Sequence, residues 1–121
     1  MVEKEISFTV LGHSFPIKYP RVGEFYRIEA LKQRLSGGFY NVMIASSSIS
    51  TQAALDMIDI EATLVVLCPK FVEELKVKNF SELDIRDYKE IRDEFYKVVA
   101  PFLKEINDLL IGVAKDDVNK D

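Results

Sequence analysis

A chain of 121 residues, 48% apolar and 30% charged, has the composition of one ordinary globular domain that can bury a core without staples. That balance excludes an intrinsically disordered chain, and a net charge of −4 argues against non-specific binding to nucleic acid or anionic membrane. A single cysteine, Cys68, excludes an internal disulfide or a cysteine-based metal site.

The first residues, MVEKEISFTV, are mixed in charge and then alternate. They lack the basic-then-apolar pattern of a signal peptide, so a soluble protein made in a cytoplasm is expected. Residues 4–19 predict a β-hairpin. Ile6, Phe8 and Val10 alternate with Ser7 and Thr9, and Phe15, Ile17 and Tyr19 alternate with Pro16 and Lys18. A two-residue loop at Gly12-His13 would put Pro16 at a hydrogen-bonded position, which it cannot fill. A four-residue loop, Leu11–Ser14, is therefore expected, with Val10 facing Phe15, Phe8 facing Ile17 and Ile6 facing Tyr19. His13 then sits at the turn tip. A lone hairpin is marginal in water, so its face must lie on helices or its edges must join strands of another chain.

Pro20 leads into a helix over about Val22–Leu35, with Phe25, Ile28, Leu31 and Leu35 on one stripe and Ser36-Gly37-Gly38 as its stop. A short helix is expected over Phe39–Ala45. Seven of the thirteen aromatic residues, among them Phe25, Tyr26, Phe39 and Tyr40, lie in the first forty positions. An exposed subset of them would mark an interface. The serines that follow, Ser46 to Ser50, offer N-caps rather than nucleophiles, since no histidine or lysine activator stands near.

Ser50 to Pro69 is the most apolar stretch. In helical projection Gln52, Asp56, Asp59 and Thr63 fall within a strip of about 60°, so the rest of the helix must be covered and only this strip is expected to meet water. Glu61 points about 180° from Gln52, into the apolar face. The readings open to it are an internal ion pair, a tip that reaches solvent between helices, a salt bridge across a subunit interface, or a catalytic role. The stretch is too short and too acidic for a membrane span. Cys68 reads as a buried thiol.

After Pro69 come one or two further helical turns over Lys70–Leu75, then an extended crossing at Val77–Phe80. Asp84 is the expected N-cap of the last helix, from Ile85 to about Ile111. Its apolar stripe is Tyr88, Ile91, Phe95, Val98, Val99, Phe102, Ile106, Leu109 and Val113, and Pro101 should kink it. Gly112 ends it, and residues 115–121 form a frayed tail. The expected fold is thus α+β and mostly helical: an N-terminal hairpin, then a bundle of about four to five helices over 22–111 with a long kinked C-terminal helix, all in one domain, 1–121.

No Ser/His/Asp or Cys/His set is available, and Asp56 and Asp59 match no metal-ligand pattern. No enzyme activity, cofactor or metal is expected. Three segments, FPIKYPRVGEFYRIEALKQRLSGGFYNVM, ALDMIDIEATLVVLCPKFVEELKV and FSELDIRDYKEI, together resemble small virion-structural or assembly proteins of tailed bacteriophages, the crAss-like phages in particular. The resemblance lies in a Pro-led helix start, a Gly-terminated first helix and an Ala-Leu-Asp central helix. It implies a non-enzymatic virion structural or assembly protein that binds other phage structural proteins or itself, in the host cytoplasm during assembly and in the virion. The alternative is a tail-assembly chaperone that leaves before the particle is complete. Glu61, Phe25, Tyr26, Phe39 and Tyr40 are the candidate interface residues.

Overall fold

The computed structural model describes residues 5–75 and 80–109. The elements run β1 (Glu5–Val10), β2 (His13–Lys18), α1 (Val22–Leu35), α2 (Tyr40–Ala45), α3 (Ile49–Leu67), α4 (Pro69–Leu75), a 3-10 turn (Phe80–Glu82), α5 (Ile85–Glu94), a π turn (Phe95–Val99) and α6 (Ala100–Asn107). The fold is α+β and mostly helical, with an N-terminal antiparallel hairpin and a bent C-terminal helix. Its contacts group the chain into two compact units, residues 1–19 with 89–121, and residues 20–88.

In the first unit the hairpin turns differently from the expected loop. Val10 pairs with His13, Phe8 with Phe15 and Ile6 with Ile17, so the loop is only Leu11-Gly12. Both residues have positive φ, 50° and 80°, as the tight type I′ turn demands. His13 therefore begins a strand instead of sitting at a tip. The two-residue slip preserves the facing, and Phe8, Val10, Phe15 and Ile17 are all buried. It also places Pro16 opposite Ser7 at a non-hydrogen-bonded site, so the constraint set by Pro16 is met in another way. A leucine in the left-handed region costs about 1–2 kcal/mol. Part of this is offset by Glu90 of α5, whose carboxylate accepts the Leu11 N–H at 2.6 Å.

β1 lies against the π turn, and Ile91, Phe95, Val99 and Phe102 form a buried stripe. Tyr19 meets Phe102 edge-on, 5.3 Å between centroids. Pro101 lacks the N–H that would bond Lys97, and its ring crowds that carbonyl. The helix absorbs this by widening over Phe95–Val99, where the Ala100 N–H reaches back five residues to the Phe95 carbonyl. The expected kink is there, with its origin one turn upstream of the proline. Leu109, expected on the inner stripe, is 57% exposed. Val113, Gly112 and the tail expected over 115–121 lie outside the described residues.

In the second unit α1 and α2 both pack on α3. α1 has the expected bounds. Glu24 accepts the Arg21 N–H at 2.9 Å at its start. At its end Gly38 and Gly37 donate to the Gln33 and Arg34 carbonyls, a Schellman stop that requires the positive φ of Gly37. α3 ends at Leu67, because the residue before a proline is pushed out of the helical region: Cys68 has φ −141° and ψ 63°, and Pro69 then opens α4. Cys68 is buried, and burial raises its thiol above the usual range. Phe80, expected in extended backbone, opens a 3-10 turn and sets its ring on Phe71, 6.2 Å between centroids. The rest of that expected crossing, residues 77–79, lies outside the described residues. Asp84 caps α5 as expected, accepting the Arg86 N–H at 2.7 Å. The guanidinium of Arg86, also on Asp84, holds that carboxyl below its ordinary value.

Among the described residues no helix is long and apolar enough to cross a membrane.

Candidate interaction surface

Phe39 to Ala45 reads Phe-Tyr-Asn-Val-Met-Ile-Ala, apolar at nearly every position. A helix of one and a half turns can bury only one side, so part of this set must face out. Tyr40 is buried and Met43 half-buried, while Phe39, Val42 and Ile44 are 64%, 67% and 55% exposed. Ile49, the first residue of α3, is 87% exposed. Four large apolar side chains thus stand in water within eleven consecutive positions, 39 to 49.

The stretch is held in place from beneath. Tyr40 donates its hydroxyl to Asp59 of α3 at 2.5 Å. Burial, followed by that hydrogen bond and the charge of Asp59, pushes the phenol well above its ordinary value of 10.0, so it remains a donor. Lys32 of α1 joins the same cluster. Its ammonium is 2.9 Å from Glu29 and 3.8 Å from Asp59, and it lies 5.7 Å from the centre of the Tyr40 ring. Three helices therefore meet at Asp59. The connection to α3 is as well anchored: Ser48 accepts the Thr51 N–H as N-cap, and Gln52 donates to the Ser46 carbonyl at 3.2 Å. The serine cluster does cap, as expected.

This arrangement corrects the expected water-facing strip on α3. Thr63 is buried, with its hydroxyl turned back to the Asp59 carbonyl at 2.8 Å, and Asp59 is taken up by Tyr40 and Lys32. The strip is where α1 and α2 pack over its second half, while Ala53 and Met57 outside the strip are exposed.

The candidate interface residues do not form one group. Tyr26 and Phe39 are exposed, Phe25 is half-buried, and Tyr40 is an interior anchor. Glu61 is half-buried and accepts the Phe80 N–H at 3.3 Å. Desolvation raises its carboxyl above the ordinary value, and the Phe80 bond lowers it by less. What meets Glu61 within its unit is thus a main-chain amide. Reasoning from sequence did not single out Val42, Ile44 or Ile49, although the unbroken apolar run in so short a helix carried the signal.

Two other places were candidates for chemistry. An open groove of about 630 Å³ lies between α1 and the end of α3, lined by Glu24, Arg27, Leu31, Arg34, Val66 and Pro69 among others. Its carboxylate, Glu24, is engaged by the Arg21 N–H. Asp59, one of the two carboxylates weighed as metal ligands, is committed to Tyr40 and Lys32. Among the described residues no three His, Cys, Asp or Glu side chains converge.

Compared with family models, curated proteins and solved structures, the chain matches none. Any functional reading therefore rests on the geometry of this surface and on the resemblance quoted above.

Proposed function

We propose that the protein is a non-enzymatic interaction component that docks onto other proteins through α2 and the start of α3. One observation carries this reading: Phe39, Val42, Ile44 and Ile49 are exposed on a segment rigidly anchored by the Tyr40–Asp59–Lys32 cluster. Large apolar side chains clustered in sequence are costly to keep in water, and a segment already held in place loses little entropy on binding. The resemblance to structural and assembly proteins of tailed phages supplies the partner class, other phage structural proteins or a second copy of the chain.

A photo-crosslinking residue in place of Val42, in a protein produced during infection, tests the proposal. Cross-links to a phage structural protein are expected, together with presence of the chain in purified particles. Cross-links in infected cells with absence from mature particles would favour the assembly-chaperone alternative. Absence of any cross-link from position 42, with the protein folded, would overturn the reading.

A further inference from the structure

Among the described residues the hairpin has two unpaired edges, and they are unlike. In an antiparallel pair joined by a two-residue turn, the residues flanking the turn exchange both hydrogen bonds, and the pattern then alternates. Val10 with His13, Phe8 with Phe15 and Ile6 with Ile17 are therefore the bonded pairs. The main-chain groups of Ser7 and Thr9 on β1, and of Ser14 and Pro16 on β2, point away from the partner strand. On β2 the outward position 16 is a proline, which has no N–H to offer, and such a residue blocks strand addition. β1 carries no such block. Among the described residues the Ser7 and Thr9 amides have no acceptor, β1 pairs with β2 alone, and Glu5, Ser7 and Thr9 are exposed.

β1 is also complementary to itself. Laid antiparallel on a second copy with Ser7 opposite Ser7, Glu5 faces Thr9 and Ile6 faces Phe8. All the outward groups of Glu5, Ser7 and Thr9 then find partners, and Ile6 and Phe8 of both copies share one face of the sheet. Sliding the second strand by two residues one way centres the pairing on Ile6 and leaves Thr9 without a partner in β1; the other way centres it on Phe8 and leaves Glu5 without one. The register centred on Ser7 avoids both. The two-fold symmetry makes the contact self-limiting: strand order becomes β2-β1-β1-β2, with Pro16 on both outer edges.

We infer that the free edge of β1 is a homodimer site, at which two copies join their hairpins into one four-stranded antiparallel sheet. This surface uses main-chain groups of the first unit and is independent of the apolar side chains on α2. A four-stranded sheet also relieves the marginal stability of a lone two-stranded one.

The test is sedimentation or light scattering of the full chain over a wide concentration range, comparing wild type with Ser7→Pro and Val42→Glu. Ser7→Pro deletes an outward N–H that the hairpin does not use, and it repeats on β1 the block that Pro16 places on β2. The wild type is expected to move from one to two chain masses as concentration rises. Ser7→Pro should stay at one chain mass with an unchanged circular dichroism spectrum, and Val42→Glu should dimerise like the wild type. Pro16→Ala, which opens the second edge, should give species larger than a dimer. A wild type that stays monomeric overturns the inference, as does a folded Ser7→Pro that still dimerises. Should Ser7→Pro not fold, mixed isotope-labelled wild type decides: contacts between Ile6 of one copy and Phe8 of the other are expected, and their absence in a dimer overturns the inference.

Discussion

The hairpin and the α2 segment are both short and rich in apolar residues, yet they present opposite surfaces. In the hairpin Phe8, Val10, Phe15 and Ile17 are buried, and what is left over among the described residues is the outward main-chain amides of Ser7 and Thr9, which have no acceptor. At α2 and its N-cap, what is left exposed is the side chains of Phe39, Val42 and Ile44. The difference follows from period. Alternation at every second residue sends an apolar set to a single face, whereas a nearly continuous apolar run wound into six residues cannot share one side. The number of apolar residues in a segment thus says little about the surface it offers; their spacing decides whether side chains or backbone are left for a partner.

The largest expected contrast is in stability. Phe8 has no exposed surface, so Phe8→Ala should cost about 3–5 kcal/mol in urea unfolding. Val42→Ala, on the exposed side of α2, should stay within about 0.5 kcal/mol of the wild type. If the two costs were equal, the distinction between core face and outer surface would fail.

The anchor beneath α2 sharpens the comparison at a smaller scale. Tyr40→Phe removes the donor to Asp59 and should cost about 1 kcal/mol, while leaving Phe39 and Val42 exposed. The phenol is held above its ordinary value, so the folded state keeps its proton more tightly than the unfolded chain. Stability from this group is full below the unfolded value of 10.0 and is lost as pH rises beyond it. Tyr40→Phe should flatten that alkaline decline, read from unfolding curves in alkaline buffers.

On the hairpin side, Leu11→Asn relieves a left-handed leucine and should raise stability by about 1 kcal/mol. A loss instead would mean that the Leu11 side chain contributes more than its backbone strain takes away. Glu61→Gln is expected to have the least effect at acid pH. Because burial raises the Glu61 carboxyl, its stabilising contribution is complete below the ordinary value of 4.5 and is lost as pH rises through the folded value. Glutamine can still accept the Phe80 N–H, so the variant should match the wild type in acid and be the more stable of the two near neutrality. A variant less stable near neutrality would show that the charge of Glu61 is stabilised by something other than the Phe80 amide.

Much of this was readable from residue order. The bounds of α1 followed from Pro20 and the Gly37-Gly38 stop, the end of α3 from Pro69, and the N-cap of α5 from Asp84. The alternation of β1 and β2 gave the buried face of the hairpin but not its register. Any shift of two residues preserves the facing, and Leu-Gly is not a sequence expected to form a type I′ turn; the contact that supports Leu11, from Glu90, is 79 positions away in the chain. The polar strip on α3 was legible as polarity but misread as a water-facing surface. Asp59 and Thr63 are satisfied by Tyr40, Lys32 and their own helix, and such pairings between helices leave no periodic trace. For the same reason Tyr40 was grouped with Phe39 as an interface residue, although one anchors the surface and the other belongs to it.

The central claim is that α2 is a binding surface rather than an unfinished core, and Val42→Glu addresses it most directly. Its urea midpoint and its incorporation into complexes should be measured on the same preparation. The midpoint is expected to stay with that of the wild type while partner binding is lost. A variant that unfolds early, or one that binds as the wild type does, would contradict the account.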